Sequence, residues 1–66
     1  MKMHILEGEA LKQGYTKRGL AKALKIDYSG LSRRLNGKIK WSDDEIQRCI
    51  KLLKLKPEEV VKIFFD

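Results

Sequence analysis

The residues able to carry out nucleophilic, acid–base or metal chemistry are few in this chain. One cysteine, Cys49, and one histidine, His4, occur among its 66 residues. A single cysteine can form neither an internal disulfide nor a thiolate metal cluster. Cys49 also falls on the apolar face of a predicted helix, where a cysteine packs as a small hydrophobic residue. We therefore predict no enzymatic activity, no catalytic or metal-binding residues and no cofactor.

A cluster of acids, Asp43–Glu45, is the other feature with chemical potential. Catalysis and metal binding are conceivable uses of such a cluster, but helix capping explains every residue in it. Ser42 and Glu45 have the spacing of a capping box, and Trp41 and Ile46 have that of the flanking hydrophobic staple. Carboxylates are also favourable at the positive end of the helix dipole. The cluster therefore predicts the start of a helix.

Positive charge is concentrated in the middle third of the chain. The whole chain carries a net charge of +6, and residues 17–40 hold eight cations against one carboxylate, which leaves a net −1 for the remainder. A basic block of this kind is the electrostatic footprint of a polyanionic partner. The alternative interpretation is a solvated surface whose lysines serve solubility.

Apolar residues recur at helical spacing, and no run of four or more residues alternates as a half-buried strand would. We predict an all-α fold, a compact bundle of about five short helices forming a single domain over residues 1–66. Thr16, Asp27 and Ser42 are suited to cap helices, Gly14 and Gly37 to end them, and Pro57 to begin one. The predicted helices span 4–13, 17–24, 28–36, 43–53 and the segment from 57 onward.

The second and third predicted helices are separated only by residues 25–27. This spacing is typical of a helix-turn-helix unit, in which the second helix enters the major groove of DNA. Ala21 is small enough for a close crossing, and Leu31 and Leu35 can pack against Leu20 and Leu24. The opposite face of the later helix is then polar and contains Ser29, Ser32, Arg33 and Asn36.

Residues 16–21 (TKRGLA) and 27–38 (DYSGLSRRLNGK) resemble the Cro/C1-type, lambda repressor-like helix-turn-helix family of phage and bacterial repressors. The resemblance is strongest from about residue 14 to residue 38, and it extends less specifically to the fourth helix. The Leu20–Ala21 pair, Leu31 and the Asn36–Lys38 exit carry most of it. The resemblance implies the lambda repressor-like DNA-binding fold and a Cro-like phage or prophage regulator of transcription, acting as a repressor.

Two positions depart from that family pattern. Lys25 stands where relatives usually have glycine, and a left-handed turn costs lysine more, so we expect the local geometry to differ. Arg34 stands where relatives usually have an apolar residue. We expect Leu35 to take over its packing, while Arg34 covers apolar surface with its stem and presents its guanidinium to a phosphate.

The resemblance implies DNA contacts for residues at matching positions. Arg33 is the main candidate for reading a base, since its fork matches guanine O6 and N7. Tyr28 either touches a sugar or a thymine methyl group, or packs on the preceding helix. The predicted base-contacting residues are Tyr28, Ser29, Ser32 and Arg33. The predicted phosphate-contacting residues are Thr16, Lys17, Arg18, Arg34, Asn36, Lys38 and Lys40, and solvated surface charge is the alternative for each lysine.

Regulators of this kind usually read two half-sites as two-fold dimers. The predicted partners are a two-fold operator in double-stranded DNA and a second copy of the chain, bound weakly through Val61, Phe64 and Phe65. The alternative is that the whole tail is core. We predict no membrane partner and no small-molecule ligand. Without a signal peptide or a long apolar run, the predicted location is the bacterial cytoplasm, in association with the nucleoid.

Two other functions remain open at this point. A protein-interaction module, such as an antitoxin or anti-repressor, can use the same fold, although the basic block argues against a partner that is not a polyanion. A non-specific nucleic-acid binder is the other. Tyr15, Tyr28 and Trp41 do not have the spacing of a stacking platform for single strands.

Overall fold

The computed structural model describes residues 1–66, and every regular element in it is helical. The predicted all-α fold of five helices is confirmed, and the bounds differ from the prediction by about a residue. The last helix continues as a wider π-helical turn over Val61–Phe65. The helices are α1 (Met3–Lys12), α2 (Lys17–Leu24), α3 (Tyr28–Leu35), α4 (Asp43–Leu53) and α5 (Pro57–Val60).

Side chains cap the N-termini of α2, α3 and α4 as predicted. The Thr16 hydroxyl accepts a hydrogen bond from the Gly19 amide at 3.0 Å. The Asp27 carboxylate accepts one from the Gly30 amide at 3.3 Å. At α4 the capping box is complete, because the Ser42 hydroxyl and the Glu45 carboxylate each accept from the other's backbone amide. Each cap satisfies amides that the first helical turn leaves without a partner.

A single device ends all four of the longer helices. The first or second residue after each helix lies in the left-handed region, with φ of 88° at Gly14, 61° at Lys25, 78° at Gly37 and 53° at Lys54. The next amide donates to the carbonyl five residues earlier, as in a Schellman motif. These bonds join Tyr15 to Ala10, Ile26 to Ala21, Lys38 to Arg33 and Leu55 to Ile50, at 2.9–3.1 Å. The expectation of a different turn at Lys25 was therefore wrong.

The two left-handed lysines predict that glycine would stabilise the protein. A non-glycine residue pays roughly 1 kcal/mol for this conformation, so Lys54→Gly is expected to raise the free energy of unfolding by about 0.5–1 kcal/mol. The melting temperature would then rise by roughly 2–8 °C for a domain of this size. Thermal unfolding followed by circular dichroism tests this. Gly37→Ala is the matched control and should shift the melting temperature downward; an unchanged value in both variants would contradict the argument.

The core draws on every helix except α5 and is closed by the C-terminal turn. Cys49 lies fully buried in it, as predicted, and burial raises the pKa of its thiol to about 12. The thiol is therefore protonated and inert at neutral pH. The buried apolar residues are Leu6, Ala10, Leu20, Ala21, Leu24, Leu31, Trp41, Cys49, Leu53, Leu55, Ile63 and Phe64.

The two chain ends lie together beside Trp41. The Trp41 ring packs edge-to-face on Phe64, with 5.6 Å between ring centroids, and its indole N–H donates to the Met3 sulfur. The Lys2 amide donates to the Ile63 carbonyl at 3.1 Å, which ties the N-terminal segment to the C-terminal turn. No helix combines the length and the apolar character that crossing a bilayer requires.

The C-terminal turn divides the three residues predicted to form a dimer interface. Phe64 is only 6% exposed, because it fills the core beneath Trp41, so its assignment to a dimer surface was wrong. Val61 and Phe65 remain 54% and 68% exposed. The tail is therefore neither wholly core nor wholly surface.

Candidate nucleic-acid interface

The α2–α3 pair presents one face of α3 to solvent. Leu20, Ala21 and Leu24 of α2 are buried, and Leu31 of α3 is buried with them. Leu35 is only partly buried and packs at the edge of this core. The small Ala21 lies on the buried face, as the close crossing of two helices requires. The apolar side of α3 is thus held down, and its polar side is left free.

The residues predicted to contact bases lie along this free side of α3. Ser29 and Arg33 are exposed, Ser32 is half-buried, and Tyr28 is 41% exposed. The Ser29 hydroxyl donates to the Asp27 carboxylate at 2.5 Å, which fixes the orientation of that hydroxyl beside the helix N-terminus. The four side chains therefore share one accessible surface, with Arg33 free of any intramolecular ion pair.

A cation–π contact joins α2 to the first residue of α3. The Arg18 guanidinium carbon lies 4.5 Å from the centroid of the Tyr28 ring. Such contacts are worth about 0.5–1 kcal/mol at exposed sites. Of the two alternatives for Tyr28, the packing against helix two is present, and the ring nevertheless keeps a substantial exposed fraction. Arg18 is brought to the same edge of the surface as Tyr28.

Arg34 points away from this surface and towards α4. Its Nε and Nη2 donate to the two carboxylate oxygens of Glu45 at 3.0 Å and 2.8 Å, and its Nη1 donates to the Gly30 carbonyl at 2.9 Å. The two charged side chains are only 15% and 14% exposed. A two-pronged pair of this kind holds the guanidinium in one plane. All three guanidinium nitrogens donate hydrogen bonds within the protein, so the structure argues against the predicted phosphate contact of Arg34.

Glu45 connects this ion pair to the start of α4. The hydrogen bond from Arg34 holds the pKa of the Glu45 carboxyl below its ordinary range, and the Ser42 amide adds to that effect. One carboxylate therefore serves as the N3 residue of a capping box and as the anchor of α3. Through it, the orientation of α3 depends on the position of the α4 N-terminus.

The other predicted phosphate contacts lie at the two ends of the helix pair. Thr16 and Lys17 are exposed at the N-terminus of α2, and Asn36, Lys38 and Lys40 are exposed in the segment that follows α3. The cap also places an ionised Asp27 at the N-terminus of α3. Hydrogen bonds from the Ser29 hydroxyl and the Gly30 amide lower the pKa of this carboxyl. Asp27 is the one carboxylate within the basic third of the chain.

A comparison with known protein families assigns the chain to one of them. Residues 2–66 match the model of a family described as a protein of unknown function, DUF739. The chain belongs to the DUF739 family. A search of curated proteins found no match. The family description assigns no activity.

Sequence reasoning missed the partner of Arg34 in this DUF739 protein. Glu45 was assigned to capping alone, which is correct as far as it goes. The charge of Arg34 could have indicated this ion pair, since Arg34 stands where the resemblance leads us to expect an apolar side chain. A charged group at a half-buried position requires an opposite charge nearby.

The depressed pKa values of Asp27 and Glu45 predict acid sensitivity. A carboxyl group with a lower pKa in the folded than in the unfolded state stabilises the fold above its unfolded pKa, and that stability is lost as the pH falls through the folded value. The ordinary values are 3.8 for Asp27 and 4.5 for Glu45. We expect the free energy of unfolding, measured with urea, to be level from about pH 7 to pH 5 and to fall progressively below about pH 4.5. Glu45→Gln should be less stable at neutral pH and show a shallower fall; a parent-like slope would contradict its role.

Proposed function

We propose that this DUF739 protein is a sequence-specific, double-stranded DNA-binding regulator of transcription that acts as a repressor. The observation that carries the proposal is the α2–α3 pair, whose buried apolar side leaves Tyr28, Ser29 and Arg33 exposed within the basic third of the chain. In the proposed complex α3 lies in the major groove, as in the Cro/C1-type helix-turn-helix family that the sequence resembles.

The proposed contacts divide into base reading and backbone positioning. Arg33 reads a guanine through its paired donors, and Tyr28, Ser29 and Ser32 contribute shape and polarity beside it. The Arg18 contact holds the Tyr28 ring in place. Arg34 positions α3 through Glu45 and does not touch DNA. The proposed phosphate contacts are Thr16, Lys17, Arg18, Asn36, Lys38 and Lys40.

The proposed assembly on DNA is a two-fold dimer. The exposed Val61 and Phe65 offer apolar surface for a second copy, whereas Phe64 serves the core. Two side chains bury far less area than a stable dimer interface requires. We therefore propose that the copies associate weakly in solution and that adjacent half-sites on DNA bring them together.

Selection of the purified protein against a random duplex library tests this proposal, with the selected duplex then titrated at several salt concentrations. An enriched motif with two-fold symmetry is the expected result. Retention on every duplex without enrichment would instead indicate a non-specific binder. Absence of binding even at low salt would overturn the proposal and favour a protein-interaction module such as an antitoxin or anti-repressor.

A further inference from the structure

A second basic surface lies on the side of the molecule where α2 meets α4. It is a shallow depression of about 330 Å³ lined by Lys25 at the end of α2 and by Arg48 and Lys51 of α4, with Ala23 and Leu52 beside them. No carboxylate lines it. Neither lysine takes part in an ion pair within the chain. Arg48 and Lys51 lie outside the basic third of the sequence. Folding brings these two cations next to Lys25, which belongs to that third.

Hydrogen bonding holds this surface in place. Arg48 Nη1 donates to the Leu24 carbonyl at 3.1 Å, which fixes α4 against the last residue of α2. A guanidinium has five N–H donors, so most of its capacity remains for a ligand. Lys25 is fixed in turn by the left-handed turn that ends α2. Three cations therefore line one depression, and a hydrogen bond joins the two helices that form it.

We propose that this depression receives the sugar–phosphate backbone of the bound DNA, beyond the contacts assigned to α2 and the segment after α3. The inference rests on the proposed function. Lys25 is three residues before Tyr28, so the turn that carries Lys25 leads directly into the end of α3 that is proposed to enter the groove. Its charge complements a phosphate. Its shallow floor and few apolar residues suit a phosphate better than an acidic peptide, which needs a pocket for an anchoring side chain.

The test compares two double variants that lose the same charge. Lys25→Gln with Lys51→Gln removes two cations from the depression, and Lys54→Gln with Lys56→Gln removes two that do not line it. Lys54 is a suitable control for Lys25, since both lysines follow the last residue of a helix and have a left-handed backbone conformation. Circular dichroism verifies that both variants fold.

The readout is the slope of log affinity against log salt, measured on the selected operator and on a random duplex. Each phosphate contact contributes about −0.9 to that slope. The first double variant is expected to flatten it by about 1.8 units, to weaken binding to both duplexes alike and to leave the selected motif unchanged. The control variant is expected to keep the parent slope.

Four results would overturn the inference. An unchanged slope in the first variant shows that no phosphate is bound there, while the parent's motif still supports the proposed function. Equal flattening in both variants assigns the effect to net charge. The parent protein could also bind poly-L-glutamate saturably. If only the first variant loses that binding while its DNA salt slope stays unchanged, the depression binds an acidic protein instead. A parent that binds no duplex at low salt refutes the proposed function, and the inference with it.

Discussion

An Arg33→Ala variant is expected to bind its selected operator about 5- to 150-fold more weakly than the parent protein. This range corresponds to about 1–3 kcal/mol, the discrimination that one good two-pronged contact to guanine provides. Arg33 is exposed on α3 and has no ion pair in the protein, so its donors are free for a base. Binding to random DNA should fall much less, and the selected motif should relax at one base pair in each half-site.

Lys38→Ala is the matched control for that experiment. Lys38 is exposed in the segment after α3 and is proposed to contact a phosphate. Its loss should weaken binding to all sequences alike and flatten the salt slope by about one unit. Competition titrations of both variants on operator and random duplexes separate the two behaviours. If Arg33→Ala loses affinity equally on both duplexes, Arg33 does not read a base.

An Arg34→Ala variant is expected to lose about 2–3 kcal/mol of folding free energy. The substitution removes both hydrogen bonds to the Glu45 carboxylate and the one to the Gly30 carbonyl. The Glu45 side chain is 14% exposed in the parent protein, and in the variant its carboxylate keeps a single backbone donor, the Ser42 amide. In a domain this small the melting temperature would fall by at least about 8 °C. Urea unfolding of the variant measures the loss.

Arg33→Ala serves as the internal control, because it removes the same charge from the neighbouring residue. Its stability should change by less than about 0.5 kcal/mol, since Arg33 is an exposed side chain. Arg34→Met combined with Glu45→Gln should recover much of the lost stability, because no unpaired charge then remains in the half-buried site. If Arg34→Ala keeps parent stability but flattens the salt slope, Arg34 contacts a phosphate and the ion pair is unimportant.

The local elements of the fold were predictable because their causes lie within a few residues of one another. A capping side chain binds an amide three residues away, as Thr16, Asp27 and Ser42 do. A Schellman motif spans six residues. Gly14 and Gly37 predicted two of the four helix ends. Lys25 and Lys54 adopt the same conformation without that signal, since the helix-ending hydrogen bonds and the burial of Leu24 and Leu53 impose it.

The roles of adjacent residues were decided only by tertiary structure. Successive residues of an α-helix point about 100° apart, so a small rotation of the helix decides which neighbour faces inward. The Arg34 side chain turns inward to Glu45 at the N-terminus of α4, and Arg33 is left to solvent. At the C-terminus, contact with Trp41 buries Phe64 and leaves Phe65 exposed.

The distribution of charge shows the same division. The amino-acid sequence alone shows that residues 17–40 are strongly basic, and it predicts both the helical fold and the short turn between α2 and α3. It could not show that Arg48 and Lys51, from a part of the chain with net negative charge, lie beside Lys25. Linear charge counts average over neighbours along the chain. Folding selects which side chains become neighbours in space, because the apolar faces of α2 and α4 must be buried together.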